Sequence, residues 1–215
     1  MSDISTQPQP ETAFAVLRRF ARRRTPAERC ELCSAELQSA HPHLLEIEKR
    51  QVVCSCEPCA VLFSDHGAGR HRRIPRDTRK LDDFLMSDEL WQSLMIPINL
   101  AFFYRQESTG KVLAMYPSPA GAVESTLSFE TWSEIESQNP VLLKIESEVE
   151  TLLVNRVGAT REYFLAPIDQ CYRLAGLIRL HWKGLSGGNE VWQHIAQFFA
   201  HLRGEVQPSR GAIGA

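Results

Sequence analysis

Cys30 and Cys33 in CELC, and Cys56 and Cys59 in CSCEPC, form two C-x2-C pairs separated by 22 residues. Two residues between ligands let the chain curl so that both thiolates of a pair reach one ion. Two such pairs at this separation are a specific metal-site signature. Four thiolates make a closed, tetrahedral, soft site. Zn2+ is the expected occupant, and iron held as in a rubredoxin is the chemical alternative. Rubredoxin-like knuckles place a glycine after the second cysteine of each pair. Here Ser34 follows Cys33, and Ala60-Val61-Leu62-Phe63 follows Cys59, which favours zinc. The apolar run predicts a helix whose N-terminal N–H groups and dipole face the second pair. The stretch HLLEIEKRQVVCSC predicts the hairpin between the pairs, with strands at Leu44–Ile47 and Val52-Val53 and a turn at Lys49-Arg50. Knuckle, hairpin and helix in that order make a small treble-clef-like zinc module over 28–66.

Three further side chains accompany these ligands. Cys54 precedes Cys56 by two residues, so in an extended strand the two would share a face. Cys54 is expected as a buried cysteine of the small core, with an alternative ligand or a free thiol as the other readings. His41 and His43 in HPHLL are expected in a loop, or with one of them behind a zinc ligand. A His-x-His beside CELC also fits the zinc knuckles of HNH-type nucleases. That site needs a downstream asparagine, and none occurs between Cys30 and Lys80.

The metal module needs a larger body to hold it. The chain has 215 residues, 43% hydrophobic and 23% charged, the profile of a soluble domain with a small appendage. The N-terminus MSDISTQPQPET lacks a basic segment followed by an apolar one, and no apolar run is long enough to span a membrane. A cytoplasmic protein is therefore expected, where clustered cysteines stay reduced and read as ligands. Residues 1–80 hold 14 Lys/Arg against 10 Asp/Glu, and residues 81–215 hold 10 against 16. Arg18–Arg24 and Arg70–Lys80 supply the basic excess. Such clusters are solvated faces, docking surfaces for the acidic half, or sites for an anionic partner.

Hydrophobic periodicity divides the chain further. Residues 1–27 read as a disordered tail and a short amphipathic helix over 11–24, with Phe14, Leu17 and Ala21 on one face. A basic linker over 67–80 leads to an α+β domain over 81–203, and 204–215 is a flexible tail. In that domain a helix starts at Ser87. A hairpin follows over about 97–105 and 111–117, stopped by Pro117, Pro119 and Gly121. Ser128 caps a second helix, which Asn139-Pro140 ends. A second hairpin covers about 150–157 and 161–167 around Gly158. Asp169 caps a third helix, Gly184, Gly187 and Gly188 make a tight turn, and a last amphipathic helix closes the domain. Hairpins force antiparallel pairing, and the helices are expected on one face of the sheet. Trp91, Trp132, Trp182 and Trp192 are expected as packing anchors.

Catalytic motifs are missing from this pattern. There is no G-x-S-x-G, phosphate loop or dinucleotide fingerprint. Asp169, Cys171 and His181 share one predicted helix. Ten residues separate the cysteine from the histidine, about 15 Å of rise, so they cannot act together. No catalytic or organic-cofactor residue is assigned, and a non-enzymatic role is expected.

The stretches CELC…HPHLLEIEKRQVVCSCEPCAVLF and YFLAPIDQCYRLAGLIRLHWKGLSGGNEVWQHIAQFF together resemble an uncharacterised bacterial domain family, over about 28–203. Its genes are associated with those for high-affinity nickel–iron hydrogenases and their maturation proteins. Added to the zinc module read from the residues, the resemblance implies an accessory protein that supports assembly or maturation of a nickel–iron hydrogenase. Its partner would be a hydrogenase subunit or maturation factor. The alternatives from the residues are a rubredoxin-like electron carrier and a zinc-dependent nucleic-acid-binding protein using Arg18–Arg24 and Arg70–Lys80.

Overall fold

The computed structural model describes residues 28–64, 69–184 and 186–204. The helix expected over 11–24, Arg18–Arg24 and the tail beyond 204 lie outside the described residues. In chain order the elements are β1 (His43–Glu46), β2 (Gln51–Cys54), α1 (Glu57–Phe63), β3 (His71–Arg73), β4 (Arg79–Lys80), α2 (Asp88–Ser93), β5 (Leu100–Arg105), β6 (Val112–Ser118), β7 (Gly121–Ser125), α3 (Phe129–Gln138), β8 (Glu150–Asn155), β9 (Glu162–Pro167), α4 (Ile168–His181) and α5 (Gly188–Leu202). A 3-10 turn over Pro140–Lys144 follows α3.

Two antiparallel sheets organise these elements, with strand orders β2-β1-β3 and β4-β9-β8-β5-β6-β7. The fold is α+β. Strand alternation sorts the six-stranded sheet's side chains between its two faces. Leu100, Phe102, Tyr104, Leu153, Phe164 and Ala166 meet α4 and α5 on one face. Ala101, Phe103, Leu152, Val154 and Leu165 meet α2, α3 and the 3-10 turn on the other. Both faces are therefore covered, where the helices were expected on one. A sheet whose central strands β5 and β8 are apolar at consecutive positions has no face to give to water. Each fully buried Leu or Phe here contributes about 1.5–3 kcal/mol of transfer free energy.

Helix ends follow local chemistry. The Ser87 and Ser128 hydroxyls accept from the backbone N–H groups of Leu90 and Thr131, each at 3.1 Å. Asp169 does not cap α4 as expected. The helix begins one residue earlier, at Ile168 after Pro167, so Asp169 lies in its first turn and its carboxylate is free to reach His43. Between α4 and α5 the backbone reverses at Gly187, whose φ is +85°; a Cβ there would lie 2.9 Å from Val191 Cγ1. The stop expected at Pro117, Pro119 and Gly121 is instead a tight turn. β6 runs to Ser118 and β7 returns from Gly121, whose φ is +110°.

The small sheet joins the large domain through side chains of both. Leu45 and Ile74 are buried in the same apolar cluster as α4 and α5, with Val52 packed beside them. The segment expected as a linker carries β3 and β4, and β3 pairs with β1 while β4 pairs with β9. Arg72 on β3 pairs with Glu107 at 2.5 Å and donates to the Ser147 carbonyl at 3.2 Å. No helix among the described residues is long and apolar enough to cross a membrane.

Candidate metal centre

The first cysteine pair sits in a tight reversal. Cys30 N–H donates to Ala35 O at 2.8 Å and Ser34 N–H to Cys30 O at 2.7 Å. Ser34 takes the left-handed conformation, φ +63°, at the position where a knuckle usually has glycine. Glu31 then locks this turn to the end of β2. Its backbone N–H donates to Cys54 O at 2.9 Å and its carboxylate accepts from Cys54 N–H at 2.7 Å.

The second pair is placed by the start of α1. Cys56 is the N-cap residue, and its side chain makes no capping bond to the helix. Pro58 fits the first turn, where a missing N–H costs nothing. Cys59 follows in that turn, so both cysteines of the pair lie at the positive end of the helix. Ala60, one residue on, packs with Leu44, Val53 and Leu32 as the module's own small core.

These elements bring together all four predicted ligands. One sulfur each from Cys30, Cys33, Cys56 and Cys59 lies within 4.8 Å of the others. The Cys33 and Cys56 sulfurs are 3.6 Å apart. A tetrahedral ion with Zn–S near 2.3 Å sets its sulfurs about 3.8 Å apart, so the cluster fits one ion. All six cysteines are free thiols. Cys30 and Cys59 are buried, and Cys33 is exposed.

Neighbouring sulfurs in this cluster compete for ionisation. Burial pushes the Cys30 thiol up, but backbone hydrogen bonds from Cys56, Leu32 and Cys33 outweigh this and bring it down to about 6. Burial and the neighbouring sulfurs of Cys56, Cys33 and Cys30 push Cys59 up to about 12. Charge on Cys30 therefore opposes ionisation at Cys59. A bound cation removes that conflict, because it favours the ionised form at every ligand.

Cys54 does not join this set. β2 ends at Cys54, so strand alternation does not carry through to Cys56, and the two thiols face different clusters. Nor does Cys54 pack in the small core. It is half-buried, and its sulfur lies within 4.8 Å of a ring nitrogen from each of His41 and His43. Sequence reading missed this cluster. Centring the turn on Lys49-Arg50 would set His43 opposite Cys56, whereas the observed register sets His43 opposite Cys54. A third group, His181, Glu190 and His194, sits on α4 and α5. Its Glu190 is already paired with Lys183 at 2.5 Å. Cys171 is core, as expected, with its sulfur 3.1 Å from the Thr151 hydroxyl.

The arginines of 70–80 are largely occupied. Arg70 pairs with Glu46, Arg72 with Glu107 and Arg73 with Glu57, at 2.5, 2.5 and 2.6 Å. Of the four tryptophans, Trp91 and Trp132 are buried anchors, while Trp192 is 36% exposed.

Residues 29–206 match a family of unknown function, DUF5947. No curated protein and no solved structure matches the chain.

Proposed function

The chain belongs to the DUF5947 family, and from that premise we propose that it is a non-enzymatic accessory protein whose cysteine module is held by one structural Zn2+ and presents a surface to a protein partner. Cys30, Cys33, Cys56 and Cys59 would hold the ion in a treble-clef-like arrangement. The ion supplies charge compensation and a cross-link between knuckle and helix. Four protein ligands leave no open position, which is the pattern of structural sites.

The observation that carries the partner reading is on α1. Val61, Leu62 and Phe63, which follow Cys59 and the buried Ala60, are 64%, 75% and 48% exposed. Three consecutive apolar side chains left to solvent among the described residues mark an interaction surface. The metal would then fix the helix that displays them. The sequence resemblance supplies the partner class, a nickel–iron hydrogenase subunit or maturation factor. A rubredoxin-like iron centre would use the same thiolates but would colour the protein; the proposal expects a colourless protein. Nucleic-acid binding is disfavoured by the carboxylates that already pair with Arg70, Arg72 and Arg73.

The test is affinity purification from a host that encodes both the protein and the hydrogenase. Hydrogenase subunits or maturation factors should co-purify, and Leu62→Asp should abolish this with the melting temperature unchanged. The proposal fails if none of those proteins is enriched, or if Leu62→Asp retains them.

A further inference from the structure

The two imidazoles and the thiol left over from the four-cysteine site form a cluster of their own. The hairpin register places His43 directly opposite Cys54. Opposed residues of an antiparallel pair share a face with Cβ atoms about 4.5–5.5 Å apart. Alternation aims Leu44 and Val53 at α1 and so turns His43 and Cys54 to the other side, where α4 begins. His41, two residues earlier, meets His43 edge-on with ring centroids 5.0 Å apart.

Hydrogen bonds behind each ring decide which nitrogen is left free to bind an ion. His41 Nδ1 is 2.8 Å from the Gln38 carbonyl oxygen, which can only accept. His43 Nδ1 is 2.7 Å from Asp169 Oδ2. In a neutral imidazole the proton therefore sits on Nδ1, and Nε2 presents a bare lone pair. A carboxylate or carbonyl behind the far nitrogen is how proteins orient histidines toward metals.

Burial supplies an independent sign that something electropositive is wanted. The His41 side chain is only 8% exposed, and its Nε2 is buried with no hydrogen-bond partner. Five buried side-chain polar atoms lack partners among the described residues, and three of them, His41 Nε2, Asp169 Oδ1 and Gln170 Oε1, belong to residues lining one cleft. That cleft has a volume of about 200 Å³ and also includes His43. All three atoms are lone-pair donors. Buried acceptors persist when a cation or its bound water completes them.

We propose that His41, His43 and Cys54 form a second metal site, distinct from the four-thiolate site, that takes a divalent transition ion such as Zn2+ or Co2+. One thiolate with two imidazoles selects such ions over Mg2+ and Ca2+. Three protein ligands leave a fourth position for water or a small exchangeable ligand, as in sites that do chemistry or pass an ion on. Asp169 acts as a positioning residue through His43. The same side chains also resemble a thiol–imidazole–carboxylate nucleophile set. That set has no use for a second imidazole, and it leaves His41 Nε2 unexplained.

The full-length protein, equilibrated with Zn2+ under reducing conditions and desalted, should carry two ions per chain by native mass spectrometry. Cys54→Ala and His43→Ala should each carry one and keep the wild-type circular dichroism. Asp169→Asn should weaken the second ion about 10–100-fold while leaving the first. In the wild type, added Zn2+ should protect Cys54 from alkylation by iodoacetamide, a readout that needs no variant. A single ion on the wild-type chain, an unchanged ion count in Cys54→Ala and His43→Ala, or Cys54 alkylation at the same rate with and without Zn2+ would overturn the proposal. The last result would favour the nucleophile reading instead.

Discussion

Leu45→Ala should lower the stability of the α+β body, although Leu45 lies in sequence between the two C-x2-C pairs. Leu45 is 1% exposed and belongs to the apolar cluster that also holds Phe164, Ile178 and Phe199. Truncating a leucine this well buried costs about 2–5 kcal/mol, from lost transfer free energy and the cavity left behind. Taking about 3 kcal/mol, and about 2–4 °C of melting temperature per kcal/mol for a chain of this size, the expected drop is about 6–12 °C. Tryptophan fluorescence is the right probe. Trp91, Trp132, Trp182 and Trp192 all lie outside 28–64, so the signal reports only the larger body. Leu44→Ala is the comparison. Leu44 packs in the small cluster with Val53, Ala60 and Leu32, so its loss should first loosen the module and, with zinc held as proposed, speed its release to a chelator. If Leu45→Ala moves the tryptophan transition by less than about 2 °C, the module does not share the body's core and the reasoning is wrong.

Two further outcomes follow from buried groups. Burial pushes the Cys171 thiol up from 9.0 to about 12. Its stabilising contribution is therefore fully present below pH 9. It falls between pH 9 and 12, where the unfolded chain loses that proton and the folded one keeps it. Native protein should leave Cys171 unalkylated at pH 8.5, by peptide mapping, and modification there without unfolding would contradict its placement. Arg156 is 2% exposed at its side chain and bonds the Met86 and Ser87 carbonyls, the Tyr163 hydroxyl and Asp88. Arg156→Ala should cost about 3 kcal/mol in denaturant titrations, since several charge-assisted bonds go at once. Asp88→Asn, at an exposed carboxylate, should cost under about 1 kcal/mol.

Local patterns were legible in the sequence wherever one chemical rule dominated. The C-x2-C spacing identified four cysteines whose sulfurs do converge, and Ser87 and Ser128 cap helices as their positions suggested. The hairpins around Gly158 and Thr109-Gly110 follow from alternation and turn residues. Rules about single elements could not reach relations between elements. That both sheet faces are covered depends on where α2 and α3 pack, and Phe102 and Phe103 look alike in sequence although they face opposite cores. The cluster of His41, His43 and Cys54 depends on hairpin register, where shifting the turn by one position changes which residue His43 faces. The Asp169 contact to His43 spans 126 residues, and no local signal announces it.

In the proposed function, Cys30, Cys33, Cys56 and Cys59 hold one zinc ion. X-ray absorption at the zinc edge tests it most directly, on the Cys54→Ala protein so that only this site contributes. Four sulfur neighbours at about 2.3 Å are predicted, in a colourless protein with one ion per chain. Nitrogen or oxygen neighbours in place of sulfur, or a purified folded protein that carries no zinc, would contradict the account.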